Sequence, residues 1–124
     1  MKDRDIVVLK KIVKYSNEIN ETIVRFDLDL DKFQNDHVMK NAICMCILQI
    51  GELANNLTDE FKTEYSKIPW RNIIAVRNRA AHAYETTDTE MLWKIVLTDI
   101  PELKTYCENI IEEKEKPKEQ ENNT

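Results

Sequence analysis

Hydrophobic positions recur at helical intervals from the start of the chain. Leu9, Ile12, Val13, Ile19, Ile23 and Phe26 follow spacings of three, four and seven, which puts one apolar stripe on a helix from about Asp5 to Phe26. Asp27-Leu28-Asp29-Leu30-Asp31 alternates like a strand, but a segment this short and acidic with no pairing partner reads as a connection. A second helix is expected over about 34–57. Its centre, Ala42 to Leu48, is apolar around the whole circumference and must be covered on every side. Either a central place in a monomeric bundle or a second copy of the chain would cover it. Thr58 or Asp59 can cap a short helix through Tyr65. Ile68-Pro69-Trp70 then restarts the chain into a helix over about 69–83.

Beyond that helix, Thr87 with Glu90 forms a capping-box pattern ahead of Met91, Leu92, Ile95 and Val96. Pro101 should kink or interrupt this last helix, with Asp99 and Glu102 offering a second box to restart it through Leu103, Tyr106, Ile110 and Ile111. From Glu112 onward no apolar residue occurs. The reading is therefore one domain over residues 1–111 and a charged, disordered tail over 112–124, with no internal repeat.

Composition agrees with an all-α fold: one glycine and three prolines in 124 residues leave little turn chemistry for a hairpin-rich sheet. The longest uncharged apolar run, Ala42 to Ile50, is well short of the roughly 20 residues that span a bilayer. The first residues carry charges of both signs and lack the apolar centre of a signal peptide. A cytoplasmic protein without membrane association is expected. Three cysteines, two of them inside the apolar helix, argue against a disulfide framework. The two histidines are far apart and no Cys-x-x-Cys pair occurs, so neither a metal nor another cofactor is expected.

A net charge of -5 repels polyanions at long range, so any attraction for RNA must be local. Arg71, Arg77 and Arg79 lie close together in sequence and make a local basic site available. On a wheel at about 100° per residue, Ile73, Ala80, Ala81 and Tyr84 fall within about 60° of Arg77, which places the arginine on the apolar stripe. A guanidinium there needs a counter-group. Glu52, at the end of the second helix, would serve as a structural partner, and an incoming phosphate would serve as a functional one. His82 lies about 140° from Arg77, beside Asn78 one turn earlier, which could bond its ring. The two therefore act together only if the arginine bends, the helix loosens, or a second copy of the chain supplies its own residues. Tyr84 returns to the face of Arg77, where packing alone would account for it.

The order Arg77-Asn78, three residues, His82, one residue, Tyr84 resembles the signature of the HepT-like branch of the HEPN superfamily. Ile50-Gly51-Glu52, Ile68-Pro69-Trp70 with Ile73-Ile74, Asp88, Leu92-Trp93 and Pro101-Glu102-Leu103 extend the resemblance over about residues 4–111. Ala80-Ala81 departs from it, because the family usually places a bulkier aliphatic residue between the Asn and the His.

The resemblance implies an antiparallel four- to five-helix bundle that pairs as a homodimer, with two copies of the Arg-His motif facing one cleft. It implies a toxin-type, metal-independent endoribonuclease whose products carry a 2′,3′-cyclic phosphate. His82 would move protons, Arg77 would hold the scissile phosphate, and Asn78 would orient the ring of His82 or donate to a phosphate oxygen. It further implies a type VII-like toxin–antitoxin pair, in which a minimal nucleotidyltransferase antitoxin AMPylates Tyr84. Two other readings remain open. One is a non-catalytic HEPN-fold subunit that binds or regulates a nucleotidyltransferase, and the other is a plain helical scaffold.

Overall fold

A computed structural model describes residues 3–116. Four long helices form the frame: α1 (Asp3–Arg25), α3 (His37–Asn55), α5 (Trp70–Glu85) and α7 (Ile100–Lys114). Short helices α2 (Leu30–Asn35), α4 (Asp59–Glu64) and α6 (Thr89–Lys94) join them, and no strand occurs among the described residues. The expected all-α bundle is what the chain forms. Its long neighbours run antiparallel. The start of α1 meets the end of α3, where the Arg4 guanidinium donates to the Asn56 carbonyl at 3.0 Å. It also meets the end of α7, where Lys10 pairs with Glu115 at 2.8 Å. No helix is long and apolar enough to cross a membrane among the described residues.

Each boundary has a local cause. The first connection turns at Asp27, whose φ of 47° lies in the left-handed region that aspartate tolerates better than most residues. The second expected helix is divided at Asp36. Its carboxylate accepts from the amides of Val38 and Met39 at 3.0 and 3.1 Å, so α3 begins at His37 and not near 34. Leu30 and Asp31, read as connection, and Gln34 and Asn35, read as the start of the second helix, coil together into α2 because Asp29 caps the Lys32 amide at 2.9 Å. The Phe33 ring then packs on Trp93 with centroids 5.0 Å apart.

The capping box expected at Thr87 is replaced by Asp88, which accepts from the Met91 amide at 3.1 Å; Thr87 turns the chain with a φ of 58°. At Pro101 the helix is not broken. A π-helical stretch, Ile95–Asp99, runs directly into α7, and its wider turn, in which the Ile100 N–H reaches back to the Ile95 carbonyl, accommodates the proline in the first turn of α7. Asp99 makes no cap there and reaches Arg79 instead, at 3.5 Å. The last helix continues to Lys114, three residues past the expected domain end, and the rest of the expected tail from 117 lies outside the described residues.

Leu9, Ile12, Ile19, Ile43, Ile47, Ile50, Leu92 and Ile95 fill the centre between the helices. The apolar middle of α3 is covered unevenly. Ile43, Cys44 and Ile47 are buried against the frame, Cys46 and Leu48 are half-buried, and Met45 stays 58% exposed. A single chain therefore does not supply the all-round cover expected for this helix. All three cysteines are free, and burial pushes the Cys107 thiol up to about 12.

One buried charge ties the bundle's end. Asp5 is fully buried, and its carboxylate accepts from the Thr58 amide at 2.9 Å and the Thr58 hydroxyl at 2.7 Å, while Thr58 in turn caps α4. Asp5→Ala removes both acceptors and leaves their donors unmet. Urea unfolding should show a loss of about 2–4 kcal/mol. A loss below about 1 kcal/mol would mean that water replaces the carboxylate without penalty.

Candidate functional site

Helix α5 carries the motif, and aromatic packing fixes where it starts. The Trp70 indole donates to the Tyr65 carbonyl at 3.0 Å, and its ring lies on Phe61 with centroids 5.3 Å apart. From there Ile73, Val76, Ala80 and Ala83 turn inward. Val76 and Ala83 shift the centre of the buried face to roughly 80° from Arg77 on an ideal wheel. Arg77 thus stands at the edge of the stripe and not in its middle, and its side chain is 47% exposed.

Two neighbours on α3 meet it. Gly51, the only glycine in the chain, faces α5 so closely that a Cβ built on it would overlap the Arg77 Cβ and stand 3.1 Å from the Arg77 Cα. At the next position the Glu52 carboxylate lies 2.6 Å from the Arg77 Nε. On α5 itself, Arg77 Nη1 donates to the Asn78 side-chain oxygen at 3.3 Å. Asn78 was expected to hold the ring of His82 or to meet a phosphate; its side-chain oxygen faces the arginine.

Two turns along α5, the Tyr84 hydroxyl donates to the Asn41 side-chain oxygen at 2.7 Å. Tyr84 is 44% exposed and borders a shallow hollow of about 290 Å³ lined by Asn41, Cys44, Met45 and Leu48. Arg77 and Tyr84 are seven residues apart, so about 10 Å of helix separates them on one face. Together α3 and α5 present a surface that is charged at the Glu52–Arg77 end and apolar at the Met45–Tyr84 end.

His82 is exposed in the last turn of α5, and its imidazole has no hydrogen-bond or ion-pair partner among the described residues. Its position five residues after Arg77 puts it about 140° from the arginine around an ideal helix. The expected basic cluster also disperses. Arg79 turns the other way, to Asp99 and to the Asn72 carbonyl at 3.4 Å, and Arg71 lies exposed beside Trp70. Of the three, Arg77 alone shares the surface with Tyr84. Among the described residues no group of three or more His, Cys, Asp or Glu side chains is placed to hold a metal ion.

Asn41 was not anticipated from sequence. Part of the signal was available: if Glu52 meets Arg77 across antiparallel helices, Met45 lies two turns back on α3 opposite Tyr84, and Asn41 lies one further turn along the same face. Gly51 was noticed only as part of a pattern, although an isolated mid-helix glycine costs roughly 1 kcal/mol against alanine and so suggests a close approach.

The chain matches the family model described as ribonuclease HepT-like over residues 9–110. "Putative RNase MJ1380" of Methanocaldococcus jannaschii is 29% identical over 109 residues, covering 87% of this chain and 98% of the relative. "Probable ribonuclease HepT" of Thermococcus cleftensis is 33% identical over 93 residues, covering 75% of this chain and 84% of the relative. "Putative RNase TTE0752" of Caldanaerobacter subterraneus is 33% identical over 85 residues, covering 68% and 76%. No solved structure matches at the same significance.

Proposed function

The chain belongs to the ribonuclease HepT-like family, and from that premise we propose that it is a toxin-type endoribonuclease that cleaves RNA without a metal ion. The observation that carries this reading is the placement of Arg77, an exposed guanidinium anchored on one edge and open to a phosphate on the other. In this reading the substrate 2′-hydroxyl attacks its own phosphorus, the bond to the 5′-oxygen breaks, and a 2′,3′-cyclic phosphate remains. His82 takes the hydroxyl proton or returns one to the leaving oxygen, as an imidazole can near neutral pH. Arg77 balances charge on the phosphate as it develops. The Asn78 oxygen is turned to Arg77, which leaves its amide nitrogen as the group to meet a phosphate oxygen.

Two copies of the chain complete the site. Pairing would cover the exposed Met45 face of α3 and allow His82 of one protomer to reach the Arg77 of its partner across a shared cleft. Tyr84 would be the control point in a type VII-like pair. Its hydroxyl attacks the α-phosphorus of ATP on a minimal nucleotidyltransferase antitoxin, and pyrophosphate leaves. The added bulk and negative charge, on the same face as Arg77, would compete with RNA.

A second reading is favoured by the net charge of -5 and by the scattering of the three arginines: a non-catalytic subunit that binds or regulates a nucleotidyltransferase. Two assays separate them. With EDTA present, the purified chain should cut RNA to cyclic-phosphate ends. Incubated with ATP and its nucleotidyltransferase, it should gain AMP in a mass spectrum, and Tyr84→Phe should not. Modification without any cleavage would select the second reading, and neither result would leave the scaffold.

A further inference from the structure

Consecutive residues of α3 meet Arg77: Gly51 lets α5 approach closely, and Glu52 pairs with the guanidinium. An ion pair as exposed as Glu52–Arg77 adds little to stability. A glycine within α3 weakens the helix. The close approach and the ion pair converge on one side chain, as expected if the position of that guanidinium matters. An exposed arginine otherwise samples many rotamers, whereas a group that stabilises developing charge must be held in place beforehand.

We propose that Gly51 and Glu52 are positioning residues for Arg77. Gly51 lets the α5 backbone approach until the Arg77 Cβ rests over bare backbone, which fixes the root of the side chain. Glu52 then holds the Nε edge, and Asn78 holds Nη1. The guanidinium is gripped at Nε and at Nη1, yet the side chain stays 47% exposed, which leaves it surface to offer a ligand. The salt-bridge role and the phosphate role of Arg77 are thus compatible, because they use different edges of one planar group. What the open edge meets rests on the ribonuclease reading above; the geometry of the grip does not.

The test compares Glu52→Ala, Glu52→Gln and Gly51→Ala in the full chain, with two readouts. In RNA cleavage, Glu52→Ala should lower kcat by about tenfold to a hundredfold, the scale of a misplaced catalytic group, with KM little changed. Glu52→Gln keeps an oxygen for Nε and should recover most of that loss. The second readout requires no substrate: the Arg77 Nε–H resonance, identified by its absence in Arg77→Lys, should move in Glu52→Ala and in Gly51→Ala.

Wild-type cleavage by Glu52→Ala with an unmoved resonance overturns the proposal. So does equal loss in the Ala and Gln variants. Faster cleavage by Glu52→Ala would also overturn it and make Glu52 a plug that competes with phosphate. Should the wild-type chain cut no RNA, the ribonuclease reading falls and the resonance alone decides the positioning role. Should Gly51→Ala fail to fold, the Glu52 pair still decides it.

Discussion

Replacing His82 with alanine should slow RNA cleavage by about 10²–10⁴-fold, the usual contribution of a positioned general acid or base. The same substitution should leave the unfolding free energy within about 0.5 kcal/mol, because the exposed ring has no partner to lose. This separation of activity from stability gives the experiment its force. A matched fall in both would mean that the imidazole holds the helix end together, and an unchanged rate would assign the cleavage to a contaminant. Buffers spanning neutral pH sharpen the result, since a proton-transfer role should also flatten the pH dependence of kcat in the variant.

Mixing two inactive variants should restore activity if the site is built from two chains. Arg77→Ala alone should lose about 10²–10³-fold, as removal of a transition-state charge partner does. After subunit exchange with His82→Ala, half the dimers are mixed. In a shared cleft each mixed dimer pairs one intact Arg77 with one intact His82, so activity should return to about a quarter of wild type. If Arg77 and His82 act within one chain, every site in the mixture lacks one of them and the mixture stays dead. The physical ground is the turn of about 140° between the two positions on α5, which sets their side chains on different faces of one helix. Recovery would also locate the cover for Met45, because the pairing that joins the motifs would bury that side of α3.

The helices were legible in the sequence because their apolar positions repeat, and each long one lies where its stripe placed it. Short-range capping was harder to read. Asp36 divides an otherwise continuous pattern, and Asp88 takes the cap from Thr87 once Thr87 adopts a positive φ. Both outcomes depend on the direction from which the chain enters the helix, which a one-dimensional pattern does not contain.

The pairing of Arg77 with Glu52 was foreseeable as a charge that needed a partner. Its place at the rim was not, because Val76 and Ala83 are modest in size and only packing shows that they set the buried face. The arginine cluster misled for a related reason. Closeness along a helix says little about direction, and Arg71, Arg77 and Arg79 point to three different sides. The tie between Tyr84 and Asn41 depends on the register of α3 against α5, which side-chain periodicity alone does not specify.

The contact between α1 and α7 bears on how the protein is made. A ribosome delivers α1 first, and its apolar stripe can find α3 within some thirty residues, but the side meant for α7 stays bare until residues 100–114 emerge. By then the motif helix has already left the exit tunnel. The nascent chain thus presents Arg77 and His82 before the bundle that steadies them is closed, and cleavage activity should appear only once α7 has packed on α1. For a protein proposed to cut RNA, that order of assembly delays the chemistry until α7 has emerged and docked.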